Sequence, residues 1–124
     1  MRVILLENDY ELEQEITELL YMRGVQVDTF DSIEGVEEAL KTANYDLIIA
    51  DFDLQMVDRF SQLPRIYNEF PNVEVILTTT INQSFIPHEL KKVISDCFEK
   101  PFTMNMLEMT LDALINKKDI AFAA

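Results

Sequence analysis

The sequence is poor in the features that mark exported and membrane proteins. It contains one cysteine, Cys97, so no disulfide can form within the chain, and a reducing, cytoplasmic compartment is expected. No apolar run approaches the ~20 residues of a membrane-spanning helix. The opening residues, MRVILLE, lack the long apolar segment and the small-residue cleavage site of a signal peptide. These absences favour a cytoplasmic protein that has no membrane partner.

Basic residues are also scarce. The 124 residues include 10 Lys and Arg against 23 Asp and Glu, which gives a formal net charge of −13 at pH 7. Direct nucleic-acid binding is not expected, because phosphates require a basic surface. The acidity is compatible instead with a basic protein partner or with a bound cation. The length predicts one domain over residues 1–118, and residues 119–124 read as a tail or as the start of a linker.

Short apolar runs and amphipathic stretches alternate along the chain. The runs predict five strands, at residues 3–6, 25–30, 47–50, 73–77 and 97–99. Five helices are predicted: from Asp9 to a stop at Gly24, from a capping box of Asp31 and Glu34, around residues 60–70, from Pro87, and from a cap at Thr103. This alternation is typical of an α/β fold, in which helices cover both faces of a parallel sheet.

The composition of the strands predicts their order in the sheet as 2-1-3-4-5. The first, third and fourth strands are the most continuously apolar and belong in the centre, although Glu74 is an exception. The second and fifth strands are mixed or short, which suits the edges. In this order a ligand site is expected outside the carboxyl ends of the first and third strands.

Polar segments follow four of the five predicted strands. They are Glu7-Asn8-Asp9, Asp51-Phe52-Asp53, Thr78-Thr79-Thr80 and Lys100-Pro101. A carboxylate at the end of a buried strand is costly unless a cation pairs with it. Oxygen ligands without His or Cys favour Mg²⁺. An aspartate beside such an ion can attack phosphorus and become an aspartyl phosphate, with Lys100 and Thr78 binding the phosphoryl oxygens.

The segments VILLEND, YDLIIADFDL, VILTT and EKPF, in this order and at this spacing, resemble the response-regulator receiver domain of bacterial two-component signalling. The resemblance covers nearly the whole chain and implies a flavodoxin-like fold. It implies that Asp51 is the phospho-acceptor, that Thr78 is the switch hydroxyl and that Lys100 is the phosphate-binding lysine. It also implies a cis peptide bond between Lys100 and Pro101.

The same resemblance implies a metal ion and partners. Glu7 and Asn8 hold the positions of the family's acidic pair, and Mg²⁺ would be bound by them together with Asp51 and the main-chain carbonyl of Asp53. A sensor histidine kinase or a phosphotransfer protein would donate the phosphoryl group. The domain would then switch its strand 4/strand 5 face toward an output domain or protein. The fourth helix, fifth strand and fifth helix would form the pairing face of a homodimer.

Several departures make the sequence an atypical member of this family. Asn8 stands where the family usually has a second acid, which predicts weaker Mg²⁺ binding; Asn8 could also serve as a helix cap. Cys97 stands where the family often has an aromatic side chain that moves on activation, and it reads as a small packing residue. Gln55 and Arg59 replace the usual Pro and Gly of the following loop, which predicts a reshaped loop.

Two other functions are compatible with the sequence. A non-phosphorylated relative could keep the fold as a constitutive adaptor, which Asn8 and Cys97 favour. The segment LIIADFDL also resembles the apolar strand and Asp-x-Asp of haloacid-dehalogenase-type phosphatases, in which the first Asp is a nucleophile. That signature normally lies near the N-terminus and continues with Gly-Thr, whereas this one lies mid-chain. We therefore expect a signalling domain rather than an enzyme, with the side chain of Asp53 solvated.

Overall fold

A five-stranded parallel sheet with helices on both faces forms the centre of the protein. The computed structural model describes residues 1–53 and 56–123, with the side chains of all of these except residues 56–61 and 118–123. The strands are β1 (Arg2–Leu6), β2 (Gln26–Thr29), β3 (Leu47–Asp51), β4 (Glu74–Thr79) and β5 (Asp96–Glu99). The helices are α1 (Tyr10–Met22), α2 (Ile33–Thr42), α3 (Met56–Glu69), α4 (His88–Lys91) and α5 (Met104–Ala123), and a 3₁₀ turn covers Gln83–Phe85. The strand order is β2-β1-β3-β4-β5, so the predicted fold and order are confirmed.

Two apolar cores lie on opposite faces of the sheet, because successive side chains of a strand point to opposite sides. The core under α1 and α5 contains the strand residues Val3, Leu5, Leu47, Ile49 and Ile76. The core under α2, α3 and α4 contains the strand residues Ile4, Leu6, Ile48, Ala50 and Leu77. Every residue of β3 is buried, which explains why the sequence there is continuously apolar up to Asp51.

Two of the predicted helix ends agree with the structure, and the predicted start of α2 does not. Gly24 follows α1 with a φ of 71°, a conformation that favours glycine, as the predicted stop requires. Thr103 Oγ1 accepts a hydrogen bond from Met106 N at 3.3 Å, which confirms the predicted cap of α5. The cap of α2 is Ser32, whose Oγ accepts from Gly35 N at 3.2 Å, so the capping box predicted from Asp31 is wrong.

Helix α5 is longer than its apolar pattern predicts. The predicted inward positions end at Ile115, but the helix continues to Ala123. The division of the chain into a domain over residues 1–118 and a tail or linker stays a prediction. Among the residues that the structure describes, none of the helices is long and apolar enough to cross a membrane.

Glu74, the exception in the apolar fourth strand, lies at the first residue of β4. Its carboxylate accepts hydrogen bonds from Ser95 Oγ and from Lys117 Nζ, the second at 3.0 Å. The charge therefore has partners at the end of the strand that is opposite the predicted site, and it does not disturb the buried centre of the sheet.

Candidate functional site

The carboxyl ends of the strands bring together four of the residues that the sequence analysis placed there, namely Glu7, Asp51, Thr78 and Lys100. Asp51 pairs in register with Thr78 across β3 and β4, and Leu6, just before Glu7, pairs with Ala50. The Lys100 ammonium lies 3.0 Å from Glu7 Oε2 and 3.3 Å from Asp51 Oδ2. The predicted cluster of carboxylates, hydroxyl and ammonium therefore exists, whereas the chemical roles of its members stay predictions.

Lys100 reaches the carboxylates from the end of β5. Its amide N donates to Thr79 O at 2.6 Å, and the peptide bond to Pro101 is cis, as expected. The lysine side chain is 14% exposed. Burial acts to lower the pKa of Lys100, but the hydrogen bond to Glu7 and the charges of Glu7 and Asp51 outweigh it, so the pKa is raised. The ammonium is therefore charged throughout the physiological pH range.

Glu7 is the most enclosed carboxylate of the cluster, with a side chain that is 1% exposed. Its Oε2 accepts from the amide N of Asn8 at 3.0 Å and of Asp9 at 3.1 Å, and its Oε1 accepts from Thr78 Oγ1 at 3.1 Å. Burial raises the pKa of Glu7, with a smaller rise from the Asp51 charge, while hydrogen bonds from Asp9 N and Lys100 oppose the rise.

Asp51 is held at both carboxylate oxygens. Its Oδ1 accepts from Asp53 N at 2.9 Å, and its Oδ2 faces Lys100. The side chain is 4% exposed, and the amide N of the next residue, Phe52, donates to Thr78 O at 2.8 Å. These contacts fix the direction of a carboxylate that ends a fully buried strand, which is what an oriented nucleophile requires.

The side chain of Asp53 is 24% exposed, but its carboxylate is bound by donors of the protein, where the sequence analysis expected a solvated loop side chain. Its carboxylate accepts from Thr79 Oγ1 at 2.9 Å and from Thr80 N at 2.8 and 3.1 Å. The donors come from the end of β4, which lies beside the end of β3 in the sheet. The run of threonines at the end of β4 was the available sequence signal, but a repeating pattern does not indicate where a loop side chain points.

Asn8 does not cap the first helix. The cap of α1 is Asp9, whose Oδ1 accepts from Glu11 N at 3.0 Å and from Leu12 N at 3.2 Å. Asn8 is exposed at the rim of the cluster, and its proposed contact with a metal stays a prediction. The reshaped loop was predicted from Gln55 and from the side chain of Arg59, which lie outside the part of the chain that the structure describes.

The donor set of the cluster suits a hard cation, because it consists of oxygen atoms. No group of three or more His, Cys, Asp or Glu side chains in the described residues is arranged to hold a metal ion. Mg²⁺ is often bound by only one or two carboxylates, with water molecules completing its shell. Glu7 and Asp51 supply two, and Lys100 lies between them. The two carboxylates therefore fit Mg²⁺ if they bind the metal ion and the Lys100 ammonium at the same time.

Cys97 is a buried packing residue in the core under α2, α3 and α4, as predicted. Burial, followed by the nearby carboxylates of Asp96 and Glu99, raises the pKa of the thiol to about 11. The sulfur is therefore in the unreactive thiol form near neutral pH.

Cys97 should react slowly with iodoacetamide in the folded protein. At about pH 8 the thiolate fraction is small, and the side chain is covered, so alkylation should be at least about tenfold slower than in urea. Intact mass against time measures both rates on the same sample, with the unfolded protein as its own control. Equal rates in buffer and in urea would contradict the burial of this thiol.

Comparison with known proteins decides the family. The chain matches the family model of the response regulator receiver domain over residues 3–112. It belongs to this family. It is 25% identical over 123 residues to the transcriptional regulatory protein CrdR of Helicobacter pylori, and the match covers 96% of this chain and 57% of that protein. The receiver domain thus spans little more than half the length of that relative.

Solved response regulators share the fold. A two-component response regulator from Clostridium difficile has a TM-score of 0.83 at 20% identity, covering 95% of this chain and 98% of that one. HP1043, an orphan response regulator of Helicobacter pylori, has a TM-score of 0.78 at 25% identity, with coverage of 92% and 95%. TrrA from Thermotoga maritima, solved in complex with Mg²⁺ and BeF, has a TM-score of 0.78 at 18% identity, with coverage of 91% and 97%. The family model thus confirms the predicted receiver family, and these structures confirm the fold.

Proposed function

We propose that this receiver domain accepts a phosphoryl group on Asp51 from a sensor histidine kinase or a phosphotransfer protein, and that the modification switches its β4/β5 face toward an output domain or protein. The proposal rests on the carboxylate of Asp51, which accepts a hydrogen bond from Asp53 N and faces Lys100 at the end of a buried strand. The chain's relatives are response regulators, which are signalling proteins.

In the proposed step, one carboxylate oxygen of Asp51 attacks the phosphorus of a phosphohistidine. The new O–P bond forms as the P–N bond breaks, and the departing imidazole nitrogen keeps the electron pair. Lys100 lies where it can offset charge on the phosphoryl oxygens, and the Thr78 hydroxyl can exchange its bond to Glu7 for one to a phosphoryl oxygen. Mg²⁺ bound by Glu7, Asp51 and the Asp53 carbonyl would further neutralise the transferring group.

A small phosphodonor tests this proposal directly. Acetyl phosphate with Mg²⁺ should add a single phosphoryl group to the chain, which intact-mass measurement detects. No added mass, under conditions that label another receiver, would favour the constitutive adaptor. The adaptor alternative is supported by the ammonium of Lys100, which already forms ion pairs with both Glu7 and Asp51. Steady release of phosphate from varied phosphoesters would favour the phosphatase.

Asn8→Asp should tighten Mg²⁺ binding by about tenfold, since affinity for hard cations rises with the number of charged ligands. Isothermal titration of Mg²⁺ into the two proteins measures the difference. Asn44→Asp is the matched control, because it adds the same charge at an exposed position before β3, on the opposite edge of the sheet. Unchanged affinity in Asn8→Asp would remove Asn8 from the ligand shell.

A further inference from the structure

The carboxylate of Asp53 joins two loops that the fold would otherwise leave separate. It lies in the loop after β3 and accepts from Thr79 Oγ1 and from Thr80 N at the start of the next loop. We call these bonds the Asp53 latch, and residues 80–82 the β4 loop. The latch is short and charge-assisted, at 2.8 to 3.1 Å, so it restrains where the β4 loop begins.

The far end of the β4 loop is attached to β5. Gln83 N donates to Glu99 Oε1 at 3.0 Å, and Gln83 Nε2 donates to the main-chain oxygen of Cys97 at 2.9 Å. Between the two ends, Ile81 N donates to Thr79 Oγ1 at 3.1 Å. Hydrogen bonds therefore hold both ends of the β4 loop, the first to the acceptor loop and the last to the main chain of the edge strand at Cys97, and the main chain of the loop connects the two ends.

The charges around Asp53 make the latch sensitive to what happens at Asp51. The Lys100 ammonium faces three carboxylates, at 3.0 Å from Glu7, 3.3 Å from Asp51 and 3.9 Å from Asp53. The Asp53 amide also donates to Asp51, so the two residues are close neighbours. A phosphoryl group on Asp51 would add negative charge and oxygen acceptors there. It would draw Lys100 away from Asp53 and repel the Asp53 carboxylate.

We propose that Asp53 is the positioning residue of the β4 loop. Its carboxylate holds the loop closed in the unmodified protein, and phosphorylation of Asp51 releases it. Gln83 then transmits the release to the main chain of β5 at Cys97, where the side chain is too small to move as a large aromatic would. The release on phosphorylation rests on the proposed function, whereas the restraint of the loop in the unmodified protein does not.

Hydrogen exchange measured by mass spectrometry on the full chain tests both the restraint and the release. Without donor, Asp53→Ala should exchange about tenfold faster than the unsubstituted protein over residues 79–86, because a charge-assisted bond is lost. Asp53→Asn keeps an oxygen acceptor and should stay protected. With acetyl phosphate and Mg²⁺, the unsubstituted protein should lose about tenfold in protection over this segment. Asp53→Asn should lose little protection over this segment, because its side-chain amide carries no charge for the phosphoryl group to repel.

Two variants of the 3₁₀ turn separate the loop from its attachment to β5. Gln83→Leu keeps the bulk of the side chain but removes the donor to Cys97 O. Phosphorylation should then still loosen residues 79–82 but should alter exchange over residues 96–99 less than in the unsubstituted protein, because only the bond from Gln83 N to Glu99 remains. Ser84→Ala is the matched control and should respond as the unsubstituted protein does, because Ser84 bonds through its main-chain N.

The outcomes distinguish failure of the inference from failure of the proposed function. If the mass shows phosphorylation but residues 79–86 keep their protection, release of the latch is refuted, whereas the phosphoryl transfer of the proposed function stands. If Asp53→Asn is released as fully as the unsubstituted protein, charge repulsion is not the cause, and the proposal is overturned. If no phosphoryl group is added, the proposed function fails together with the release. Equal exchange in Asp53→Ala and the unsubstituted protein, without donor, would overturn the holding role.

Discussion

Asp51→Asn is expected to abolish the phosphorylation of this receiver domain by acetyl phosphate. The amide that replaces the carboxylate is nearly isosteric but is not a nucleophile, so no O–P bond can form. Its oxygen can still accept the hydrogen bond from Asp53 N, so the fold should persist. Intact mass after incubation with donor and Mg²⁺ should show one added phosphoryl group on the unsubstituted chain and none on the variant.

Asp53→Asn is the matched control for this experiment. Asp53 lies two residues further along the same loop, and its carboxylate is also near Lys100, at 3.9 Å. Its oxygens are occupied by Thr79 and Thr80, so it is poorly placed to attack phosphorus. The control should gain a phosphoryl group as the unsubstituted chain does. Modification of Asp51→Asn together with its loss in Asp53→Asn would assign the nucleophile to Asp53.

The position of the site could be predicted from the sequence because a parallel sheet imposes it. Each strand of the sheet ends at the same edge, so polar residues that follow four apolar runs must meet there. Register then decides which of them touch, and Asp51 indeed lies opposite Thr78. The strand order followed from the same physics, since the strand buried on both faces must lie between others and β2, with its polar residues, must lie at an edge.

The details that could not be predicted depend on directions of side chains outside the repeating elements. The sequence analysis considered Asn8 as a cap for α1, but the cap is Asp9, whose backbone is extended, with a φ of −79° and a ψ of 113°. The side chain of Asp53 turns toward donors from β4 that are 26 and 27 residues away in sequence. Neither preference is encoded by hydrophobic periodicity, which reports only on faces of helices and strands.

Lys100→Met is expected to destabilise the domain by about 2 kcal/mol near pH 7. The methionine retains much of the bulk but leaves the carboxylates of Glu7 and Asp51 close together without this ammonium. Removing one partner of a fully buried ion pair costs roughly 3–5 kcal/mol. We expect a cost of only about 2 kcal/mol here because the side chain of Lys100 is partly exposed. Urea unfolding followed by circular dichroism gives the free energy of unfolding of both proteins.

The deficit of Lys100→Met should grow as the pH rises. The pKa of Glu7 is raised already, foremost by burial, and the hydrogen bond from Lys100 opposes that rise, so its removal raises the pKa further. A carboxyl whose pKa is higher in the folded than in the unfolded state binds more protons when folded. Its contribution to stability is therefore present below the unfolded pKa, near 4.5, and is lost as the pH rises through the folded pKa. The two proteins should differ least at or below about pH 4.5, and the difference should grow as the pH rises through the folded pKa of Glu7.

Lys117→Met is the matched control for Lys100→Met. Lys117 also forms a 3.0 Å ion pair, with Glu74, but its side chain is 70% exposed, so solvent screens the interaction. Its loss should cost at most about 1 kcal/mol and should not respond to Mg²⁺. In Lys100→Met, Mg²⁺ should restore part of the lost stability, because a divalent cation can neutralise Glu7 and Asp51 in place of the ammonium. If Mg²⁺ stabilises both variants equally, or if the Lys100→Met deficit is independent of pH, the carboxylate pair is not the group that Lys100 neutralises.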